Sequence, residues 1–334
     1  MTAATMVHVL YVPFTGVGLH GGWRGHGWYK HRIEIFKHYT LKSLLNQSNK
    51  SFVLWLSFRP EEENNPLTGE IADAIKATGL KFVFTFDGLM YWDDKFTHYT
   101  FVTKVRNLLM MLWDCWHYKE WKSPTELWKY TWENKNKSLL TRLTCSLSVV
   151  AKVVGNVPWV YLTRIDSDDM FQRETIALLQ SWQPAYHRAL VFREGYILNT
   201  LTGQVAEWNP PTNPPFHTII FPKGVFLDPQ SHRAYYGDFR THEDIPRVFD
   251  SEVVDVKNYM VLFHKKHIST GWESPLPRRM YQQWKYGPRG YLYTVSGRNI
   301  STRWRSRTGN VKNFMIGKEF FGEEKQKILQ DFGL

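Results

Sequence analysis

The chain has 334 residues, of which 43% are hydrophobic, so it can build a large folded core and wholesale disorder is excluded. Its formal net charge of +11 favours an anionic partner, such as nucleic acid, a phosphorylated small molecule or an acidic membrane surface. Cys115 and Cys145 lack metal-site spacing and suggest no disulfide framework, and no signal sequence or spanning apolar run is evident, so we expect a cytoplasmic protein.

Apolar runs typical of buried strands alternate with amphipathic segments over the first ninety residues. Strands are predicted at 7–14, 52–58 and 80–88, with helices between them, the second of these at 69–79. This alternation predicts an α/β fold with a mainly parallel sheet flanked by helices.

Ligands of such sheets bind beyond the carboxyl ends of the strands. The glycine-rich loop after the first strand, residues 57–59 and Asp87 are therefore expected on one rim of the sheet. A fourth strand at 157–166 ends at the same rim and delivers a group of carboxylates to it.

Two segments are rich in aromatic and basic residues. Residues 94–155 are predicted to be mostly helical, either as an insertion packed against the core or as an amphipathic segment that dips into a bilayer. Residues 274–318 contain no acidic residue and about ten Lys and Arg, which predicts an extended basic tail.

The stretch "YLTRIDSDDMF", residues 161–171, places Asp166, Asp168 and Asp169 at the end of the fourth strand. Neighbouring carboxylates repel one another, so their ionised forms need a compensating cation. A hard divalent ion such as Mg²⁺ or Mn²⁺, bound through oxygen, would supply that compensation.

Four interpretations of this stretch are open at the outset. A calcium loop fails, because Phe171 and Ala177 stand where Gly and Glu are required. A phosphatase of the haloacid-dehalogenase type would have Thr or Val in place of Met170 and would carry its motif on the first strand. A solvated acidic turn and the Asp-x-Asp signature of nucleotide-sugar glycosyltransferases remain.

The element "TRIDSDDMF" resembles the TR-hydrophobic-D-x-DD element of a rhamnosyltransferase family with a GT-A type fold. The segments "HRIEIFKHYTLKSLLNQSNKSFVLWLSF", "FHTIIFP", "HEDIP" and "FHKKHISTGW" resemble further elements of that family in the same order. The likeness covers roughly residues 7–275. It implies a GT-A type, Rossmann-like, mainly parallel sheet flanked by helices, with a helical insertion and a basic C-terminal extension.

The resemblance also implies a division of the chain. Residues 1–170 would bind the nucleotide-sugar, with the helical insertion at about 94–155. Residues 171–275 would bind the acceptor and carry catalysis, and residues 276–334 would form the basic aromatic extension.

Residue roles follow from the same resemblance. Asp168 is expected to hold the metal, Asp166 to approach the ribose, and Asp169 to orient the sugar. His264 is the candidate for completing the metal site, with His267 as the alternative. A structural role for either histidine stays open.

Inversion at the anomeric carbon needs a general base. The "HEDIP" element supplies Asp244 as the first candidate and Glu243 as the second; the alternative is that these carboxylates face a helix N-terminus. Arg164 would either stabilise a diphosphate or pair with the aspartates. The remaining donor-binding candidates are Phe14, Thr15, Arg32 and Asp87.

The expected partners are a nucleotide-sugar donor and a glycan or lipid-linked acceptor, with peripheral membrane contact. A rival function is nucleic-acid binding or processing, in which Trp284, Tyr291 and Trp304 stack on bases, although nucleic acid is not the partner we expect. A metal-dependent phosphatase is the other rival. Two departures from the family, a longer glycine-rich loop and "FRPE" after the second strand, leave the nucleotide base open.

Overall fold

The computed structural model describes residues 5–15, 26–89, 139–200, 202–208, 216–236, 245–254, 256–263 and 316–334, together with 108, 112, 115–116, 121 and 123–126. These residues form two β-sheets with helices packed around them.

The larger sheet has seven strands. In spatial order they are β10 (Asp250–Val254), β6 (Arg188–Phe192), β9 (His217–Pro222), β4 (Trp159–Arg164), β1 (Met6–Pro13), β2 (Val53–Ser57) and β3 (Lys81–Thr85). The four strands from β4 to β3 are parallel, and β6 and β10 are parallel to each other. Only β9 is antiparallel to its neighbours in this sheet. The mainly parallel α/β sheet expected from the sequence is confirmed.

The apolar runs form strands because both faces of this sheet are covered. Every residue of β2 is buried, as expected for a parallel sheet with helices on each side. Successive residues of β1 point to opposite faces of the sheet. Leu10 and Val12 lie in the hydrophobic cluster on one face, and Val9 and Tyr11 lie in the cluster on the other.

Helices surround the sheets, and α3 shows why they form where they do. Asn65 caps its first turn by accepting a hydrogen bond from the Leu67 amide, and Ile71 and Ile75 are fully buried. The helix ends at Lys76, and Gly79, at φ +75°, lies in the turn that follows. The helices are α1 (His26–Ile35), α2 (Leu41–Leu45), α3 (Pro66–Lys76), α4 (Leu139–Val154), α5 (Thr175–Ser181), α6 (Lys223–Leu227), α7 (Pro229–Tyr236), α8 (Ile245–Val248) and α9 (Gly322–Asp331).

Two further helical segments have a different hydrogen-bonding pattern. A π-helical turn, Phe36–Thr40, joins α1 to α2, and a 3-10 turn, Pro60–Glu62, follows β2. Among the helices of the described residues, none combines the length and the apolar character needed to cross a bilayer.

The smaller sheet has five strands. In spatial order they are β12 (Ile316–Phe320), β8 (Val205–Trp208), β7 (Gly195–Asn199), β11 (Tyr259–Phe263) and β5 (Asp169–Phe171). Its apolar face packs into a separate cluster that includes Ile35, Met170 and Phe332.

Residues 188–199, "RALVFREGYILN", form an apolar run that is interrupted by two charged residues. This run forms two strands, β6 in the larger sheet and β7 in the smaller one, separated by the exposed Arg193 and Glu194. The chain passes between sheets at this pair because both side chains are charged and favour solvent.

Candidate functional site

The candidate site lies where the strand order of the larger sheet reverses. In chain order, β2 and β3 are added on one side of β1, and β4 is then added on the other side of β1. Such a switch point opens a crevice beyond the carboxyl ends of the central strands. The chain leaving β4 stays beside β1, since the Ile165 amide donates to the Tyr11 carbonyl at 3.1 Å.

The acidic stretch connects the two sheets. Asp166 comes two residues after the end of β4, in the larger sheet, whereas Asp169 is the first residue of β5, in the smaller sheet. The turn between them is closed by the Asp169 amide, which donates to the Asp166 carbonyl at 3.1 Å. The geometry of the three carboxylates therefore depends on both sheets.

Asp166 pairs with Arg164. The Nε and Nη2 atoms of Arg164 donate to Asp166 Oδ1 at 3.2 Å and 3.0 Å, and the two side chains are 12% and 31% exposed. Burial lowers the pKa of the Arg164 guanidinium, but the charge and hydrogen bond of Asp166, together with Tyr11 and Tyr236, outweigh burial, so the net pKa shift is upward. The sequence left two roles open for Arg164, stabilising a diphosphate or pairing with the aspartates. The structure shows the ion pair with Asp166.

Asp168 pairs with Arg32. The Arg32 Nη1 atom contacts Asp168 Oδ2, and the two side chains are 15% and 22% exposed. Arg32 lies in the last turn of α1, 136 positions before Asp168 in the chain. The fold thus brings a donor-binding candidate into direct contact with the metal-ligand candidate.

Asp169 is buried, and its carboxylate oxygen Oδ1 accepts a hydrogen bond from the Leu262 amide at 3.3 Å. Burial raises the pKa of Asp169 well above its usual value, and the charges of Asp168 and Asp166 raise the pKa further. The Leu262 amide and Arg32 lower the pKa without cancelling that rise. Burial and the neighbouring carboxylates therefore favour the neutral form of Asp169.

Three residues around this stretch were not singled out by the sequence. Ser167 is fully buried, and its hydroxyl has no hydrogen-bond partner within the described part of the chain. Burial raises the pKa of Tyr11 and of Tyr236, while Arg164 lowers both pKa values, so both phenols lie near Arg164 and stay neutral. The continuous apolar run of β1 could have indicated that Tyr11 is buried, but no local pattern distinguishes Ser167 or Tyr236.

Other donor-binding candidates lie at the same rim, and their side chains make structural contacts. Phe14 is buried among aromatic rings, 5.1 Å from the Phe58 ring centroid. The Thr15 Oγ1 atom accepts from the Arg59 amide at 3.0 Å. Asp87 Oδ2 accepts from the Ser146 hydroxyl at 3.3 Å, so this carboxylate faces α4.

The predicted general bases and the predicted histidine ligands lie outside the described residues; these are Glu243, Asp244, His264 and His267. The helix α8 begins at Ile245, directly after Asp244. Within the ranges that the structure describes, no group of three His, Cys, Asp or Glu residues is arranged to hold a metal ion.

No protein-family model matches this chain, and no curated protein matches it. Among solved structures, it is similar to the TarS 1–349 fragment from S. aureus, with a TM-score of 0.37 and 12% identity over 90% of this chain and 76% of that one. A structure of the same fragment in complex with UDP gives a TM-score of 0.36 and 11% identity over 84% and 70% of the two chains. TM-scores this low do not bear on the function of the present chain.

Proposed function

We propose that this protein is a glycosyltransferase that moves a hexosyl group from a nucleotide-sugar donor to an acceptor hydroxyl, with inversion and with a divalent metal. The observation that carries the proposal is the charge arrangement at the switch point of the larger sheet. Three carboxylates and two arginines converge there: Arg164 donates to Asp166 at 3.0 Å and 3.2 Å, and Arg32 contacts Asp168. The rhamnosyl specificity implied by the sequence resemblance belongs to the same proposal.

A divalent ion fits the acidic stretch. Asp168 offers hard carboxylate oxygens on a side chain that is 22% exposed, and Mg²⁺ is commonly bound through one or two carboxylates together with substrate phosphates. Asp166 and Asp169 place two further carboxyl groups beside that of Asp168 in the same turn. Asp168 would hold the ion, and His264 is the proposed additional ligand.

The reaction joins the acceptor oxygen to the anomeric carbon and breaks the bond from that carbon to the donor phosphate. A bound Mg²⁺ or Mn²⁺ would act as a Lewis acid that neutralises the charge of the departing diphosphate. Asp166, held by Arg164, would accept hydrogen bonds from the ribose, and Asp169 would orient the sugar. Asp244, or else Glu243, would take the proton of the acceptor hydroxyl.

The experiment that tests this proposal is a thermal-shift screen of nucleoside diphosphates and their sugars, with and without Mn²⁺, followed by turnover assays. Asp168→Asn should lower turnover by at least about 100-fold and remove the effect of Mn²⁺ on donor binding, because it removes the charged carboxylate that would coordinate the metal. Asp73→Asn, at an exposed carboxylate on α3, is the matched control and should retain both. Full activity in Asp168→Asn, or hydrolysis of a generic aryl phosphate by the wild type, would contradict the proposal.

Peripheral contact with a membrane, and with it a lipid-linked acceptor, is part of the same proposal. Its support is the exposure of Leu112, Trp116 and Trp121, at 37%, 60% and 67%, in a segment that also contains many Lys residues. Flotation with vesicles containing an anionic phospholipid tests this contact. Equal recovery with anionic and neutral vesicles, or no flotation with either, would contradict it.

A further inference from the structure

Arg32 contacts the carboxylate that is proposed to hold the metal. The Arg32 guanidinium and the Asp168 carboxylate form an ion pair in which both side chains are mostly buried. A divalent ion would need the same carboxylate oxygens, and it would stand within a few ångströms of a fixed positive charge. The two cations therefore compete for Asp168, since like charges in a partly buried site repel strongly.

We infer that Arg32 is an exchangeable cation: it occupies Asp168 when no metal is bound and moves to the diphosphate of the donor when the metal binds. The inference rests on the proposed function. A guanidinium can pair with two phosphate oxygens at once, so the diphosphate supplies a new partner for the displaced side chain.

The exchange requires movement of a side chain and not of a helix. Tyr29, Ile33 and Ile35 on α1 are all buried in the hydrophobic clusters, which fixes the helix backbone. Arg32 extends from the same helix on a long flexible stem, whose rotamers can change without repacking those residues.

Arg164 differs from Arg32 in its contacts. It donates to Asp166 through two nitrogen atoms and has Tyr11 and Tyr236 nearby. Asp166 is the proposed ribose partner and is not required as a metal ligand. We therefore assign Arg164 a fixed role, the orientation of Asp166, and restrict the exchange to Arg32.

The test measures Mn²⁺ binding to the full chain without nucleotide, from the electron paramagnetic resonance signal of free Mn²⁺. Arg32→Gln should bind Mn²⁺ about tenfold more tightly than wild type, because the competing cation is gone. The same variant should bind UDP and ADP about tenfold more weakly in saturating Mg²⁺, by calorimetry, with an equal loss for the two bases. Arg32→Lys should change the affinities for Mn²⁺ and for the nucleoside diphosphates in the same directions, by smaller factors. It replaces Arg32→Gln in the test if that variant does not fold.

The matched control is Arg188→Gln. Arg188 forms a partly buried ion pair with Glu252 at 3.0 Å, with exposures of 28% and 37%, between strand β6 and the neighbouring edge strand β10. This variant removes an arginine of similar setting away from the acidic stretch, and it should leave Mn²⁺ and nucleotide affinities unchanged.

Asp168→Asn separates failure of the inference from failure of the proposed function. If Asp168→Asn loses Mn²⁺ binding but the Arg32 variants bind Mn²⁺ no more tightly than wild type, the exchange is refuted and the metal assignment stands. If Asp168→Asn binds Mn²⁺ as wild type does, the metal assignment itself is refuted and the exchange with it. Tighter Mn²⁺ binding with undiminished nucleotide affinity would refute the second half of the exchange, the transfer of Arg32 to the diphosphate.

Discussion

The two sheets of this protein are built from the chain in different ways. In the larger sheet, β1, β2 and β3 all come from the first 85 residues and are connected by local helices, with hydrophobic clusters on both faces. The smaller sheet collects five short strands from residues 169 to 320, and its cluster has nine buried members. Three of those nine, Phe320, Ile328 and Phe332, lie near the end of the chain. The other face of the smaller sheet contributes Phe171, Ile197 and Tyr259 to a cluster of the larger sheet. Asp169 and Met170 therefore lie in a strand that is packed between a large cluster and a small one.

The largest effect is expected at Phe332, which is fully buried in the cluster of the smaller sheet, 5.9 Å from the Tyr196 ring centroid. Phe332→Ala should lower the free energy of unfolding by about 3–5 kcal/mol, through lost burial and a new cavity. Urea denaturation measures this loss. Phe321→Ala, at a side chain that is 69% exposed, should change it by less than about 0.5 kcal/mol.

Hydrogen exchange shows whether the two sheets respond differently to Phe332→Ala. Amides of β7 and β11 should lose protection while those of β1 and β2 keep it, since local opening follows the least stable unit. Equal loss of protection in both sheets would show that they unfold as one unit and would remove the contrast between them.

An intermediate effect is expected at Gly195, the first residue of β7. A Cβ atom there would lie 2.6 Å from atoms of the Tyr259 ring and 2.7 Å from the Tyr259 carbonyl oxygen. Gly195→Ala should therefore destabilise the protein by about 1–3 kcal/mol, as measured by denaturant unfolding. Gly69→Ala on α3 is the control of opposite sign: nothing lies within 4 Å of its added Cβ, so a gain of about 0.5–1 kcal/mol is expected. A neutral Gly195→Ala would indicate that the smaller sheet adjusts easily at this contact.

The smallest effect concerns the pH dependence that His8 gives to the larger sheet. Its Nε2 atom lies 2.7 Å from Thr163 Oγ1, its Nδ1 atom lies 3.2 Å from Gln180 Nε2, and burial lowers its pKa to about 3. Between an unfolded pKa of 6.5 and pH 3, the unfolded chain binds a proton that the native state does not. Stability should therefore fall as the pH falls through that window, by at most about 1.4 kcal/mol per pH unit.

His8→Asn tests this assignment by urea denaturation between pH 6 and pH 5. Its slope of unfolding free energy against pH should be shallower than that of wild type by about 1 kcal/mol per pH unit. His232, whose pKa burial lowers to about 4, adds a slope of the same sign that both proteins retain. An unchanged slope in His8→Asn would mean that His8 is protonated in the native state.

The sequence predicted the first four strands of the larger sheet and their rim, because continuous apolar runs and helical periodicity are local signals. The reversed direction of β9 was not predictable, since its buried run "HTIIFP" has the same pattern in either direction. The smaller sheet was missed because β5 has three residues and carries no periodicity.

The candidate site was predicted in part. The sequence predicted that Asp166, Asp168 and Asp169 follow the fourth strand, and Asp166 does lie two residues after β4; the donor-binding roles of these residues, and of Arg32 and Arg164, stay predictions. It did not predict that Arg32 contacts Asp168, because no local rule joins residues 136 positions apart. Metal binding, the general base and the domain division stay predictions.

The antiparallel strand β9 also determines which connections of the chain lie at this rim. In the register of the larger sheet, His217 at the start of β9 lies opposite Arg164 at the end of β4 and Val191 in β6. The connection that enters β9 therefore joins the larger sheet at the rim that carries the acidic stretch. If β9 were parallel to its neighbours, only connections that leave a strand would lie at this rim. Under the proposed function, we therefore expect replacements between Trp208 and Phe216 to change ligand binding while the register of β4 and β9 is kept.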